Sequence, residues 1–196
     1  MPTEFPELLV ADADEWRSWL QRHHDSSPGV RLILSRKGGS VTALFYVDAL
    51  DEALCVGWID AQAGRRDEQS TFQRFQPRGP RSMWSLRNVD HITRLDSEGR
   101  MQPAGWAAVE AAKADGRWER AYTGPATAEA PADLLAAIAA APKAQAMYDV
   151  LTSQNRFALY FRLSQLKTAA ARQRKIAGFV EQLVRHELPY PQKKMP

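Results

Sequence analysis

The sequence predicts an α+β fold, with a small, mostly antiparallel sheet flanked by helices in the N-terminal part and an all-helical C-terminal part. Two observations predict the sheet: the run VRLILSRK is rich in branched residues, and WIDAQAGRRDEQSTFQRF reads as two extended segments joined by a turn. A third observation predicts the division, because from residue 131 onward the apolar residues recur at helical spacing. We expect an α+β domain over residues 1–122 and a helical region over 123–196.

The first helix is predicted over ADADEWRSWLQRHH, where Asp12 or Asp14 can accept hydrogen bonds from free amides at its start. The motif SSPG ends it, and the strand VRLILSRK follows, with KGGS as its turn. The run YVDALDEALCVGW then predicts an amphipathic helix. Its apolar face holds Val47, Leu50, Leu54 and Trp58, and its solvent face holds Asp48, Asp51 and Glu52.

Helices continue after the predicted hairpin. Ser85 is a natural N-cap for SLRNVDHITRLDSEGRM, and Gly99 is a natural stop. PAGWAAVEAAKADG begins with Pro103 in its first turn, and residues 117–130 read as a connector. The last third predicts three or four helices, over ADLLAAIAAA, KAQAMYDVL, RFALYFRLSQLK and a basic run from about Ala169 to Arg185. The tail PYPQKKMP is expected to fray.

The composition is that of a globular protein, since 44% of the 196 residues are hydrophobic and 25% are charged. Apolar runs fall short of the roughly 20 residues that span a bilayer, and the N-terminus does not resemble a signal peptide. We therefore expect a cytoplasmic protein without membrane insertion. Cys55 is the single cysteine and lies in the apolar run ALCVGW, which predicts a buried, reduced thiol and no internal disulfide.

Charge is distributed unevenly along the chain. Residues 1–30 contain six acidic and two basic side chains, whereas residues 156–196 contain nine basic and two acidic ones. This asymmetry predicts an anionic partner at the C-terminal end, or two ends that attract each other or another copy, in a monomer or homodimer. A nucleic acid is the alternative partner there. Its candidate contacts are Arg162, Lys167, Arg172, Arg174 and Lys175.

Three groups of side chains could carry chemistry, and each has a simpler structural interpretation. His23 and His24 could bind a metal, but neighbouring residues on a helix point about 100° apart, so we predict no metal. The carboxylates of Asp48, Asp51 and Glu52 could act as acid and base, yet they read more simply as the solvent side of a helix. An uncharacterised hydrolase centred on Asp60, Ser85 and His91, with Cys55 as a further candidate, remains a third alternative. The sequence predicts no cofactor.

The segment FQPRGPRSMWS, residues 75–85, combines arginines, prolines and aromatic residues and contains no acid. If Ser85 caps a helix, Arg78 and Arg81 precede a helix N-terminus, where free amides and the helix dipole favour an anion. Two guanidinium groups would add charge-assisted hydrogen bonds to a phosphate or carboxylate. The other interpretation is a structural brace, in which Trp84 anchors the loop and an arginine pairs with Asp60. The candidate ligand-binding residues are Trp58, Asp60, Arg74, Arg78, Arg81, Ser82, Trp84, Ser85 and Asn88.

The motifs SSPGVRLIL, DALDEALCVGWIDA, FQRFQPRGPRSMWSLRNV and LDSEGRMQPAG, followed by WERAY, resemble the bacterial bacteriocin-protection family described as YdeI or OmpD-associated (OmdA). The resemblance runs from Trp19 to about Val184, and SQNRFALYFRLSQLKTAAARQRKIAGFVEQL is similar to its helical region. The chain departs from the family pattern at TALFY, which is longer, and at Val56 and Ala61 in CVGWIDA. The resemblance implies a stress or bacteriocin-tolerance protein, with no established reaction and no cofactor.

Overall fold

The computed structural model describes residues 5–124, 128–166 and 168–196. The chain divides into two compact units, Met1–Ala121 and Tyr122–Pro196. The first contains both helices and strands, and the second is helical. Within the described residues, none of the helices is both long enough and apolar enough to cross a membrane. Residues 125–127, in the middle of the predicted connector, lie outside the described residues.

The N-terminal unit is built on a four-stranded sheet in the order β1-β2-β4-β3. β1 is parallel to β2, whereas the β2–β4 and β3–β4 pairs are antiparallel, so the sheet is mixed. The α+β class is thus confirmed, with one parallel pair in addition to the expected antiparallel ones. The elements are β1 (Glu7–Leu8), α1 (Ala13–His23), β2 (Val30–Ser35), α2 (Tyr46–Cys55), β3 (Trp58–Arg65), β4 (Ser70–Pro77), α3 (Leu86–Ser97) and α4 (Pro103–Ala114).

Helix ends follow the local sequence signals closely. The Asp12 side chain accepts a hydrogen bond from the Glu15 amide at the start of α1, which selects Asp12 as the cap. Ser85 caps α3 in the same way, through the amide of Asn88. Gly99 follows α3 with a φ of 70°, the left-handed conformation that favours glycine. The predicted boundaries of these helices are therefore set by short-range hydrogen bonds.

Large aromatic side chains fill the core of the N-terminal unit. Trp16, Trp58, Phe75 and Trp84 are each at most 1% exposed. The Trp16 indole donates a hydrogen bond to the Ala49 carbonyl at 3.0 Å, which ties α1 to α2. Burying rings of this size supplies much of the hydrophobic stabilisation of a domain, and each indole N–H is best satisfied by a partner.

The prediction of a solvent-facing acidic side on α2 is wrong for two of its three residues. Asp48 is exposed, but Asp51 and Glu52 are only 5% and 4% exposed. Conversely, Val47 from the predicted apolar face is 47% exposed. The physical reason is that α1, α3, α4 and β3 all contact α2, so most of its circumference is covered. The two buried carboxylates are neutralised by arginines from the surrounding segments.

The described residues of the C-terminal unit form α5 (Ala132–Ala139), α6 (Pro142–Asp149), α7 (Ser153–Ser164) and α8 (Ala169–Val184), which confirms the prediction of three or four helices. Leu134, Met147, Leu163 and Phe179 are at most 1% exposed and lie in its core. The predicted fraying of the tail is wrong around Tyr190 and Gln192. Asn155, which is fully buried, accepts a hydrogen bond from the Tyr190 amide and donates to Tyr190 O and Gln192 Oε1. A buried amide side chain therefore holds the tail in place.

Two helical glycines make a matched pair for a stability test. A Cβ atom on Gly105 in α4 would collide with the carbonyl oxygen of Cys55, whereas a Cβ atom on Gly178 in α8 would meet only open space. We expect Gly105→Ala to lower the free energy of unfolding by about 1–3 kcal/mol through overpacking. Gly178→Ala should raise it by about 0.5–1 kcal/mol, because alanine favours the helix. Urea unfolding followed by circular dichroism measures both, and equal effects of the two changes would contradict the close packing of α4 on α2.

Candidate functional site

The predicted cationic loop follows β4 and leads into α3. Its backbone is fixed at the first turn, since the Arg78 amide donates to Gly57 O at 3.1 Å and the Ser82 amide donates to Gly79 O at 2.9 Å. The Ser82 hydroxyl accepts a hydrogen bond from the Gly79 amide at 3.0 Å. Arg117, which follows α4, donates to the Ser82 carbonyl at 2.9 Å. Hydrogen bonds to Gly57 and from Arg117 thus hold the loop in place.

Arg78 packs directly on the tryptophan of the same loop. Its guanidinium carbon lies 3.5 Å from the centroid of a Trp84 ring, and its Nη1 donates to Met83 O at 3.0 Å. Trp84 is 1% exposed, and its ring meets Trp118 edge-on at 4.9 Å. A cation over a buried indole is a favourable contact, and here it links the loop to the core. The side chain of Arg78 therefore braces this segment.

The start of α3 combines free amides with exposed positive charge. Ser85 Oγ accepts from the Asn88 amide at 3.1 Å, and Asn88 itself is 6% exposed. The first turn of α3 contains Arg87 and no acidic side chain. Arg81 and Arg87 are both exposed, and the Arg87 guanidinium lies 5.6 Å from the Tyr46 ring centroid. Positive side chains are unfavourable beside the positive end of a helix dipole unless an anion is present.

Three predicted site residues lie outside this loop. The Trp58 ring is 1% exposed, and its Nε1 donates to His24 O at 2.9 Å. Asp60 accepts a hydrogen bond from the Tyr46 hydroxyl at 3.0 Å. Arg74 precedes the buried Phe75 in β4, so its side chain leaves the opposite face of the sheet, where it lies 5.0 Å from the Phe5 ring. The structure therefore brings together Arg78, Arg81, Ser82, Trp84, Ser85 and Asn88 in one loop and helix start.

The candidate hydrolase residues form separate interactions. His91 Nδ1 lies 2.6 Å from Asp51 Oδ1, whereas Ser85 caps α3 and Asp60 binds Tyr46. His91 thus pairs with a carboxylate that the sequence analysis placed in solvent. Near the end of α1, the His23 ring packs 4.8 Å from the Trp19 ring centroid and His24 Nδ1 lies 2.9 Å from Leu20 O. Within the part of the chain that the structure describes, histidine, cysteine and acidic side chains form no group that could hold a metal ion.

The candidate nucleic-acid contacts differ in whether their side chains already bind other residues or are exposed to solvent. Arg172 forms a two-point contact with Asp133, with Nε–Oδ2 at 2.6 Å and Nη2–Oδ1 at 2.8 Å. Lys175 lies 5.1 Å from the Phe179 ring centroid, whereas Arg162 and Arg174 are exposed. Lys167 lies outside the described residues. Arg172 therefore serves the packing of α8 on α5.

A charged cluster around Glu52 was missed by the sequence analysis. Glu52 Oε2 accepts from Arg17 Nε at 2.8 Å, and Oε1 accepts from Arg17 Nη2 and Arg100 Nη2, both at 2.6 Å. Glu52 is 4% exposed, whereas the side chains of Arg17 and Arg100 are 45% and 32% exposed. Two partly exposed guanidinium groups therefore neutralise one buried carboxylate, as a buried charge requires.

The neighbouring carboxylate has its own partners. Asp51 Oδ2 accepts from Arg94 Nη2 at 2.5 Å, and Asp51 Oδ1 faces His91. Arg94 also contacts Glu98. Hydrogen bonds from Arg94 and Arg100 hold the pKa of the Glu98 carboxyl below its ordinary value. One signal in the sequence could have revealed this cluster. The acids in ALDEALCV are surrounded by apolar residues on both sides, a pattern more typical of a buried helix than of a half-exposed one.

A cavity of about 270 Å³ lies beside Glu52. Arg17, Leu20, Gln21, Glu52, Cys55, Val56, Arg100 and Gln102 line it. Burial raises the pKa of the Cys55 thiol from 9.0 to about 11, and the negative charge of Glu52 adds to this effect. The thiol is therefore protonated near neutrality and is a poor nucleophile.

The raised pKa of Cys55 predicts a specific pH dependence of stability. The neutral thiol is favoured in the folded state, so its contribution is complete below the unfolded pKa near 9 and is lost as the pH rises to about 11. We expect the difference in free energy of unfolding between the native chain and Cys55→Ala to shrink between these pH values. Chemical denaturation across that pH range measures this difference in free energy. A difference that stays constant from pH 9 to about pH 11 would contradict the raised pKa of Cys55.

Comparison with known proteins finds two matching families. Residues 8–108 match the family described as a domain of unknown function, DUF8412. Residues 127–186 match the family described as bacteriocin-protection, YdeI or OmpD-associated, which confirms the resemblance expected from the sequence in the C-terminal unit. No significant match was found among curated proteins or among solved structures. The first match spans just over half of the chain and covers β2, β3, β4 and the whole loop between β4 and α3. The chain belongs to the DUF8412 family and carries a bacteriocin-protection, YdeI or OmpD-associated segment in its C-terminal unit.

Proposed function

We propose that this is a non-catalytic protein of the bacteriocin-protection type, whose N-terminal unit binds an anionic ligand or partner at the start of α3. The family match over residues 127–186 supports the general function. The binding surface consists of the exposed Arg81 and Arg87 and the first amides of α3. Arg78, Ser82 and Trp84 shape the loop that presents it.

The observation that carries the proposal is the contact of Arg78 with Trp84. With its guanidinium 3.5 Å from the ring and bonded to Met83 O, Arg78 fixes the loop immediately before the Ser85 cap. A loop that is already ordered loses little conformational entropy when it binds a ligand. The brace and the anion site are therefore compatible, because Arg78 supplies order and its neighbours supply charge.

The charge balance at this surface also favours an anion. Among the residues that the structure describes, neither Arg81 nor Arg87 forms an ion pair with a carboxylate. Such exposed guanidinium groups keep their hydrogen-bond donors available, in a planar arrangement that matches phosphate and carboxylate oxygens. The free amides of the first turn add donors that point along the axis of α3. A phosphate or carboxylate group on a ligand or a protein partner would satisfy both sets of donors.

The nucleic-acid alternative has weaker support in the structure. Arg172 is already bound to Asp133, and Lys175 packs over Phe179. At about 100° per residue, Arg174 also points to a different side of the helix from Arg172 and Lys175. Binding of nucleic acid by α8 remains an alternative that a gel shift over a series of salt concentrations would test.

The proposal predicts that phosphate-bearing ligands stabilise the protein and that this effect depends on Arg81 and Arg87. We expect Arg81→Ala with Arg87→Ala to weaken binding at least tenfold, since hydrogen bonds to charged groups contribute about 1.5–3 kcal/mol. Thermal unfolding in a titration of inorganic phosphate and of a phosphopeptide measures the effect. The double variant should fold normally, because both side chains are exposed.

Arg22→Ala is the matched control, because Arg22 is an exposed helical arginine whose Nε donates a hydrogen bond to the Ser18 carbonyl. It should leave the stabilisation unchanged. If the double variant and the control respond to phosphate identically, the start of α3 is not the binding site. The same variants expressed in a bacteriocin-sensitive strain connect binding to function: survival should be lost with the double variant and kept with Arg22→Ala.

A further inference from the structure

One face of the sheet, here called the outer face, carries Arg31, Phe72 and Arg74. Leu32 and Phe75 point to the other side of the sheet, where they lie in the hydrophobic core with the helices. Because side chains alternate along a strand, their neighbours Arg31 and Arg74 share the outer face. The two arginines are also direct cross-strand partners in the antiparallel β2–β4 pair. Like charges directly opposite each other destabilise a sheet, so this pair favours an anion beside it.

The first of these arginines lies over an aromatic ring. The Arg31 guanidinium carbon is 4.5 Å from the centroid of the Phe72 ring. Gly64 is the cross-strand partner of Phe72, and a Cβ atom on this glycine would lie only 2.6 Å from the ring. The ring therefore packs close to the backbone of β3, and it holds the guanidinium group on the outer face by a cation–π contact.

Arg74 repeats this arrangement with a second ring. Its guanidinium carbon is 5.0 Å from the centroid of the Phe5 ring. A Cβ atom on Gly29 would lie 2.9 Å from Cε1 of that ring, so this ring also occupies the space beside a glycine. The outer face therefore presents two separate planar cations, each placed on an aromatic ring that packs against the sheet.

The hydrogen-bond donors of these two arginines have no partner among the described residues. Neither Arg31 nor Arg74 forms an ion pair or a hydrogen bond there, and Arg74 Nε is buried. The acid beside them in the sheet register is Glu7, opposite Arg31, and its carboxylate accepts from Arg66 Nε at 2.9 Å. Arg66 also pairs with Asp67. Buried donors normally have partners, so Arg74 Nε favours a bound acceptor.

The charge of the strands suits a ligand with several negative groups. Residues 7–8, 30–37 and 58–77 contain six basic and four acidic side chains. One of the acids, Asp60, is the cross-strand partner of Phe75, so it faces the helices, where it binds the Tyr46 hydroxyl. Positive charge combined with planar groups on which bases stack is typical of surfaces that bind single-stranded nucleic acids.

We propose that the outer face binds single-stranded nucleic acid. The edges of the Arg31 and Arg74 guanidinium groups contact phosphates, their planes stack on bases, and Phe72 and Phe5 keep both groups in place. This site is separate from the start of α3 and from α8, since it uses other residues. Its test therefore does not depend on the function proposed above.

Fluorescently labelled oligothymidylate and oligouridylate of about ten nucleotides are the probes, with anisotropy of the label as the readout. The full chain should bind them with a dissociation constant of about 1–100 µM near physiological salt. Saturable binding of either strand supports the proposal, and the tighter of the two distinguishes an RNA from a DNA ligand. A duplex of the same length and an oligoglutamate peptide should bind at least tenfold more weakly, because neither offers unstacked bases.

Two pairs of substitutions separate stacking from charge. Arg31→Lys with Arg74→Lys keeps the charge and removes the planar groups, so it should weaken binding at least fivefold and leave the salt dependence unchanged. Arg31→Gln with Arg74→Gln should also reduce the slope of the logarithm of affinity against the logarithm of salt concentration by about 1.4. Arg162→Gln with Arg174→Gln is the control on α8 and should change neither quantity.

Methyl NMR of the unsubstituted chain locates the site without relying on the folding of a variant. Ile33 and Ile59 lie on the outer face, two residues from Arg31 on β2 and opposite Gln76 on β4, whereas Ile176 lies in the core of the C-terminal unit. Oligothymidylate should shift the methyl signals of Ile33 and Ile59 and leave that of Ile176 in place. The absence of saturable binding below about 1 mM, equal binding of the duplex or of oligoglutamate, or a shift of Ile176 alone would each overturn the proposal.

Discussion

Two adjacent carboxylates on a buried helix determine how the N-terminal unit is assembled. Asp51 and Glu52 lie on α2, and an isolated buried carboxylate is so costly that the surrounding segments must supply cations. Those cations come from three places in the sequence: Arg17 on α1, Arg94 on α3 and Arg100 just after α3. The ion pairs thus link segments that are distant in the sequence to one helix. They also create the charged wall of the cavity.

The N-terminal unit uses arginine in three distinct ways. Arg17 and Arg100 neutralise Glu52, and Arg78 braces a loop by lying over Trp84. Arg81, together with Arg87, remains exposed without a carboxylate partner among the described residues. Arg81 and Arg87 therefore present their charge at the surface. The distinction directs the search for the ligand of the loop to the start of α3.

Much of the fold could be predicted because its signals are local. The caps at Asp12 and Ser85 and the spacing of apolar residues act over a few positions of the chain. Both caps are formed in the structure, at the starts of α1 and α3. The position of the cationic loop before α3 follows from the same signals. The family resemblance in the C-terminal unit was also readable from motifs.

The features that the sequence did not reveal depend on long-range contacts. The spacing of polar and apolar residues separates two faces of a helix, but it does not show whether other elements cover the polar face. The polar face of α2 was therefore predicted to be exposed to solvent. The same limit applies to the tail, which is held by Asn155 from more than thirty residues away in the sequence. The brace interpretation anchored the loop through Trp84 and paired an arginine with Asp60. In the structure Trp84 is buried as expected, but Arg78 lies over its ring and Asp60 accepts a hydrogen bond from Tyr46.

Glu52 is a buried charge that Arg17 and Arg100 neutralise, and a rescue experiment can test this role. Arg17→Ala with Arg100→Ala should lower the free energy of unfolding by about 3–5 kcal/mol, because it strands the carboxylate. Adding Glu52→Gln to that pair should restore most of the loss, since the buried charge is then gone. If Glu52→Gln destabilises the double variant further, the carboxylate is not the group that the arginines neutralise.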